Sequence, residues 1–241
     1  MSGWVDLHCH YLPGVDDGVR SVEDAIALLR GLAALGWERV VATPHVRTGM
    51  FDNRRPGLQH AAAALEDALS AAGPLPARGL AAEHWFDEVF WALFERGEAL
   101  PYPGGQAVLV EFPVEAFPVG LADRLFRMSA RGVRPVLAHP ERYAPLWSRS
   151  EPLLPLLDAG ACALLDLMSL TGRYGERARR AAERMLDEGL YEAACTDCHR
   201  AADVATVEQA LERLTREWGG EATRRLLSHG PRALLAEVDA A

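Results

Sequence analysis

Asp6-Leu7-His8-Cys9-His10, led in by Trp4 and Val5, reads as the end of a β-strand. Side chains alternate faces along a strand, so His8 and His10 point one way and Cys9 the other. Two imidazoles on one face, with the carboxylate of Asp17 seven residues further on, can begin a metal site. Other strand ends carry more residues of the same kind: His45 after Thr43-Pro44, then Glu83, Glu111, His139 and Asp197-Cys198-His199. The spatial arrangement of those ends decides both fold and function.

Short apolar runs alternate with longer helical patterns. The runs are Val5-His8, Arg39-Ala42, Ala77-Ala82, Ala107-Val110, Arg134-Ala138, Cys162-Asp166 and Glu192-Thr196. Ser21-Val22-Glu23-Asp24 is an N-cap with an acid three residues later, opening a helix to about Leu35 that Gly36 stops. Further helices are expected over Pro56-Ala72, Asp87-Arg96, Gly120-Arg131, Glu151-Asp158, Glu176-Glu188, Asp203-Trp218 and Glu221-Leu227. Strands alternating with helices imply parallel strands joined by crossovers. Seven such units fit a closed or nearly closed (β/α) barrel, with a doubly wound open sheet as the rival. No Ser/Gly tract, charge block or repeat marks a linker, so one domain over residues 1–241 is expected. In a parallel barrel the strand ends meet on one face, where the active sites of such barrels lie.

Composition narrows the function. The chain has 241 residues, 49% of them hydrophobic, and a formal net charge of −9. That balance argues against nucleic acid or an anionic membrane surface as the partner. No stretch is long and apolar enough to span a bilayer, and the start, Met-Ser-Gly-Trp-Val-Asp, lacks the basic and apolar regions of a secretory signal. Cys9, Cys162, Cys195 and Cys198 are too few and scattered for a disulfide framework, and a reducing cytoplasm is the expected location.

Imidazole plus carboxylate without thiolate suits manganese, iron or zinc. The candidate ligands exceed what one tetrahedral zinc takes, so two or three ions are implied. Ions ~3.5–4 Å apart generate a hydroxide and clamp the attacking and leaving oxygens of a phosphoryl group, which suits phosphate ester hydrolysis.

The ordered motifs Asp6-Leu7-His8-Cys9-His10, Gly14-Val15-Asp16-Asp17-Gly18, Ala42-Thr43-Pro44-His45, Glu83, Val110-Glu111-Phe112, Ala138-His139-Pro140-Glu141-Arg142-Tyr143, Ser169-Leu170-Thr171-Gly172-Arg173-Tyr174-Gly175 and Thr196-Asp197-Cys198-His199 resemble the PHP (polymerase and histidinol phosphatase) superfamily. Within it they look like the bacterial metal-dependent tyrosine phosphatases of capsule and exopolysaccharide operons. The resemblance implies an α/β fold, a distorted (β/α)7 TIM-like barrel of PHP type. It implies His8, His10, Glu111 and Asp197 around a first ion, and a second bridged by Glu111 with His139 among its ligands. Asp17, His45, Glu83 and His199 match the remaining ligands, some serving a third ion. Manganese is the metal expected first, with iron or zinc as alternatives. Arg142 matches the residue that holds the substrate phosphate, and Arg142, Asp197 and His199 are the implied catalytic set. The implied reaction is attack of a metal-bound hydroxide on phosphotyrosine. No covalent phosphoenzyme is expected, since the chain has no Cys-x5-Arg motif. The implied substrate is the phosphorylated, tyrosine-rich tail of a bacterial kinase controlling polysaccharide export. A small-molecule phosphatase acting on histidinol phosphate is the alternative enzyme, and a non-catalytic barrel that binds metal or a kinase is the alternative class. A nuclease or proofreading module suits the superfamily but not the acidic chain.

Plainer readings stand beside several residues. Arg47 and Arg200 are candidate substrate-binding residues and Arg173 a candidate for the pocket wall; each also reads as solvated loop charge. His60, His84 and His229 read as surface or packing residues. Cys195-Thr196-Asp197-Cys198 is formally a CxxC, but a thioredoxin-type motif opens a helix in a much smaller fold. Trp85, Phe86, Phe90, Trp91 and Phe94 read as a core-facing helix stripe. The family usually carries Gln and Asn ahead of the Ser-Leu-Thr-Gly segment, where this chain has Leu164 and Asp166, and its Ser-Asp-Ala-His is here Thr196-Asp197-Cys198-His199. No residue after His199 clearly matches the further substrate arginine of some members.

Overall fold

The computed structural model describes residues 3–236; Met1 and Ser2, part of the stretch read above for a secretory signal, lie outside them. Strand and helix alternate through the chain. β1 (Trp4–Cys9), α1 (Val22–Ala34), β2 (Trp37–Ala42), β3 (His45–Val46) and α2 (Arg55–Ala71) come first. β4 (Ala77–Leu80), β5 (Glu83–Trp85), α3 (Glu88–Glu95), β6 (Ala107–Glu111), α4 (Leu121–Ala130) and β7 (Arg134–Ala138) follow. α5 (Leu154–Asp158), β8 (Cys162–Asp166), α6 (Glu176–Asp187), β9 (Tyr191–Cys195), α7 (Val204–Arg224) and α8 (Gly230–Leu234) complete the order.

All strand pairs are parallel. β1-β2-β4 form one sheet and β3-β5-β6-β7-β8-β9 the other. The two are one wall interrupted twice. The chain steps out of register at Thr43-Pro44 and Ala81-Ala82, and the pairing carries on across the steps: Ala81 N donates to Ala42 O at 2.8 Å and Glu83 N to Pro44 O at 3.1 Å. The run expected over Ala77-Ala82 therefore ends at Leu80, Glu83 opens a second strand instead of closing the first, and His45 belongs to a short strand of its own. At the other edge Cys9 bridges Cys198, Asp197 N donates to His8 O at 2.8 Å and His10 N to Cys198 O at 2.9 Å. Taking β2/β3 and β4/β5 as single interrupted strands, the wall is the distorted seven-unit barrel.

Local chemistry explains the helices. Ser21 Oγ accepts the N–H of Asp24 at 3.1 Å, and Asp87 Oδ1 accepts that of Phe90 at 2.8 Å, each capping a free helix terminus. Gly219, at φ 83° and ψ 164°, breaks α7 into the two pieces expected from the sequence. The aromatic stripe is core as expected at Phe86, Phe90, Trp91 and Phe94, whereas Trp85 is the last residue of β5 and only partly buried.

The barrel interior is filled by alternate strand residues, among them Val41, Leu109, Val136 and Leu164, while the intervening residues pack under the helices. β1 departs from simple alternation. Asp6 opposes Val40 but Cys9 opposes Ala42, so β1 carries one extra residue in between. Leu7 packs in the interior and Cys9 in the outer layer, and this bulge turns both His8 and His10 to the barrel mouth.

The C-terminal helix closes against β9 with no spare room. A Cβ on Gly230 would run into the carbonyl oxygen of Glu192. Both partners are backbone, so Gly230→Ala is expected to destabilise the protein by about 3 kcal/mol, the upper end for overpacking. A urea midpoint equal to wild type would show that the contact relaxes freely.

Candidate metal centre

Six strand ends deliver their side chains to one mouth. His8 Nε2 lies 3.1 Å from His10 Nε2, 3.2 Å from Glu83 Oε2 and 3.1 Å from Asp197 Oδ1. His10 Nε2 is 3.2 Å from the same Asp197 oxygen. His45 Nδ1 is 3.0 Å from Glu83 Oε2, and His139 Nε2 is 3.1 Å from Glu83 Oε1. Asp17 Oδ1 sits 3.5 Å from both His45 Nε2 and His199 Nε2. Glu111 stands further out, 3.9 Å from His139 and 4.0 Å from His45.

Two of these residues adopt backbone that side chains avoid. His139 has φ 35° and Asp197 φ 48°, left-handed conformations at the turns leaving β7 and β9. Such conformations cost of order 1 kcal/mol each, and they swing both side chains inward over the barrel.

Within 4.8 Å the donor atoms form four groups: His10-Asp17-His45-His199, His8-His10-Asp197, His8-Glu83-His139 and His45-Glu83-Glu111. Together they contain all nine ligand candidates of the sequence and no other described residue. Glu83 enters two of these groups and Glu111 one. Glu83 is buried on the floor by the short strand between β3 and β6, whereas Glu111 ends β6 at the rim.

The donor set fits divalent ions. Glu83 Oε2 and Asp197 Oδ1 are buried without a hydrogen-bond partner, and the two imidazole Nε2 atoms of His8 and His10 face each other. Lone pairs converging with too few protons between them are what cations satisfy. Burial opposes charge on His45 and His199, but Glu83 beside the first and Asp17 beside the second raise them to about 10 and about 9. Burial also opposes charge on Glu83 and Asp197, yet the imidazoles around them, and Arg142 beside Asp197, hold both well below the usual carboxylate range. Glu111, desolvated and close to the charge of Glu83, is pushed up to about 8. No thiolate contributes: all four cysteines are buried, and burial raises their thiols.

Residues 4–236 match the family described as Capsular polysaccharide synthesis, CpsB/CapC. The chain belongs to the CpsB/CapC family. It is 28% identical over 223 residues to the tyrosine-protein phosphatase YwqE of Bacillus subtilis (strain 168), covering 90% of this chain and 86% of that protein. It is 23% identical over 239 residues to the tyrosine-protein phosphatase CpsB of Streptococcus pneumoniae, covering 97% and 98%. A crystal structure from the pair YwqE of Bacillus subtilis and CpsB of Streptococcus pneumoniae, described as unique metal-dependent tyrosine phosphatases, superposes with a TM-score of 0.87 at 26% identity, over 97% of this chain and 95% of that one. The organophosphorus hydrolase of Deinococcus radiodurans shares the fold alone, with a TM-score of 0.58 at 12% identity over 98% of this chain and 93% of that one.

In this CpsB/CapC chain the arginines expected at the substrate divide. Arg142, in a 3-10 turn after His139, lies between Asp197, 2.6 Å away, and Asp166, with its guanidinium carbon 3.6 Å from the centre of the Tyr174 ring. Arg173 and Arg200 line the same cleft, whose volume is about 480 Å3. Arg47 is not among the lining residues; its guanidinium stacks 3.6 Å over Trp85.

Supporting acids were harder to foresee. Asp16 accepts from His10 Nδ1 at 2.8 Å and from the His45 N–H at 3.0 Å, which fixes the His10 tautomer with its Nε2 lone pair toward the centre. Asp6 accepts from Thr196 Oγ1 at 2.5 Å and from the His8 N–H at 3.1 Å, tying the first strand to the last. Asp203 accepts the N–H groups of His199 and Arg200. Asp16 was visible as half of Asp16-Asp17; Asp203 carries no local signal. His84 is a packing residue as expected, buried, with Nε2 accepting the Leu100 N–H at 3.1 Å.

Proposed function

We infer that this chain is a metal-dependent tyrosine-protein phosphatase whose single domain, residues 1–241, hydrolyses phosphotyrosine. The observation that carries the reading is the juxtaposition of unpartnered carboxylate and imidazole atoms with Arg142, whose buried Nε–H also lacks a partner. A cluster of acceptors able to hold cations, beside a planar cation, matches a phosphate monoester. The phosphatase names of the relatives point the same way.

His8, His10, Asp17, His45, Glu83, Glu111, His139, Asp197 and His199 would hold two or three divalent ions, with manganese the metal that suits this donor set first. Bound there, such ions supply Lewis acidity and the charge that neutralises a phosphoryl group. The protein's own groups orient the ester. Arg142 is held in one plane by Asp166, Asp197 and the Tyr174 ring, so its donors are aimed before substrate arrives. Arg142, Asp197 and His199 are the proposed catalytic set: Asp197 lies between the other two, 2.6 Å from Arg142 and 3.8 Å from His199 Nδ1. The Tyr174 ring and Met168 give the cleft an apolar wall for the phenyl group.

No helix of the described residues is long and apolar enough to cross a membrane. The proposed place of action is the cytoplasm, which keeps the free cysteines reduced. The proposed substrate is the phosphorylated tail of a tyrosine kinase of polysaccharide export, in keeping with the family's description.

Metal-depleted protein is expected to lose turnover on a phosphotyrosine peptide and to regain it with manganese, at a kcat/KM at least tenfold above that on histidinol phosphate. Full manganese occupancy without turnover would leave only a binding barrel. Preference for histidinol phosphate would make it a small-molecule phosphatase.

A further inference from the structure

The cleft continues past the metal centre. Beyond Asp17, His199 and Arg200 it opens into a second hollow of about 320 Å3, lined by those same three residues and by Arg20 and Asp24. Arg200 stands at the junction, with Arg173 on the side of the centre and Arg20 on the far side.

Arg173, Arg200 and Arg20 stand along this path with Asp203, Asp17 and Asp24, and the acids are the better partnered. Arg173 donates to Asp203 Oδ1 at 2.9 Å, and Arg200 Nε lies 3.7 Å from the same oxygen. The other Asp203 oxygen is taken by the N–H groups of His199 and Arg200, both at 3.1 Å. One buried carboxylate thus faces two guanidinium groups. Arg20 is exposed and makes no ion pair among the described residues. The acids of the hollow are Asp24 and Asp17, and Asp17 faces the imidazoles of His45 and His199, each at 3.5 Å. Arg200 keeps 69% of its side chain in solvent, so its charge is available to a ligand. The chain as a whole carries −9 and repels acidic partners at long range, which makes a local row of cations at the mouth selective.

We propose that Arg173, Arg200 and Arg20 form a cationic track that takes the acidic residues flanking the phosphotyrosine of a peptide substrate. This rests on the phosphotyrosine reading above and extends it from the phosphate to the neighbouring sequence. A small phosphate ester would fill the first hollow and leave the second unused; an extended peptide occupies both.

Three peptides separate the possibilities, alike except that the residues beside phosphotyrosine are Glu, Gln or Lys. Each is made with a phosphotyrosine, for kcat/KM, and with a non-hydrolysable phosphonate, for affinity to the manganese-loaded full chain by fluorescence anisotropy. Exposed pairs contribute a factor of about two each, so three give about tenfold tighter binding of the Glu peptide than of the Gln peptide, with the Lys peptide weakest. The preference should shrink in high salt and fall to about twofold in the Arg173→Gln/Arg20→Gln double variant, which keeps Arg200, while Arg173→Lys retains it. Equal binding of Glu and Gln peptides by the wild type, or an unaltered preference in the double variant, would overturn the track. A charge preference in binding without hydrolysis of any peptide would instead sink the phosphatase reading and leave the track standing. Equal kcat/KM and equal affinity on all three would do the reverse.

Discussion

Glu83→Gln is expected to lower turnover on a phosphotyrosine peptide by roughly 10²–10³-fold, the scale on which one electrostatic element of an active site contributes. The metal content of the purified protein should fall with it. Glu83 touches His8 at 3.2 Å, His45 at 3.0 Å and His139 at 3.1 Å, and it is 1% exposed, so no water replaces its charge. Glutamine keeps the volume and removes the charge, so packing does not confuse the outcome. In the metal-free protein the imidazoles lose the carboxylate that balances them, at a cost of about 3 kcal/mol for a buried pair broken on one side. Manganese should raise the melting temperature of the wild type and do so far less in the variant, because a ligand that binds only the folded state stabilises in proportion to its affinity. His139→Ala and Glu111→Ala are expected to lose turnover as well, with the circular dichroism of the fold intact. Wild-type rates together with wild-type metal content in Glu83→Gln would take this carboxylate out of the centre.

How far this was legible in the chain depended on whether the signal was local. Ser21 announces its helix because a cap is written within four residues, and Gly219 breaks α7 because only its own φ matters. Eight of the nine candidate ligands were legible because they fall at or next to the ends of apolar runs, and parallel topology sends such ends to one face; Asp17, in the loop after β1, was legible only as part of the Gly14-Val15-Asp16-Asp17-Gly18 motif. What could not be read depends on contacts between distant segments. The steps at Thr43-Pro44 and Ala81-Ala82 exist because two strands break together and keep pairing. The bulge in β1 is defined only against β2, and without it the period of two would set His8 on the face opposite Leu7. Asp and His enter the left-handed region more readily than most residues, but that weak preference does not mark His139 and Asp197 in advance; their positive φ is held by the surrounding turns, with Asp197 N donating to His8 O among the contacts. Asp203 reaches the centre only because α7 begins beneath the His199 turn. The central place of Glu83 follows from strand order, which periodicity does not encode.

Arg142→Ala should abolish most activity, but that result alone would prove little. Asp166 is fully buried at the end of β8; one of its oxygens accepts the Met168 N–H at 2.8 Å and the other faces Arg142. Truncating the arginine leaves that carboxylate without a counter-charge in the barrel, at a cost of roughly 3–5 kcal/mol. Lost stability and lost phosphate binding would then look alike. Asp166→Asn breaks the ambiguity, since it removes the stranded charge while keeping the shape. The Arg142→Ala/Asp166→Asn double variant is expected to recover most of the melting temperature and none of the kcat/KM on a phosphotyrosine peptide. Arg142→Lys keeps the positive charge but gives up the planar fork and the contact with Tyr174, and should still fall by about 10²-fold. A double variant that regained wild-type kcat/KM would mean that Arg142 only neutralises Asp166, and the phosphate would have to be held elsewhere in the cleft. If stability returns and activity does not, Asp166 is a positioning residue: it holds the guanidinium in place for another anion, the substrate's.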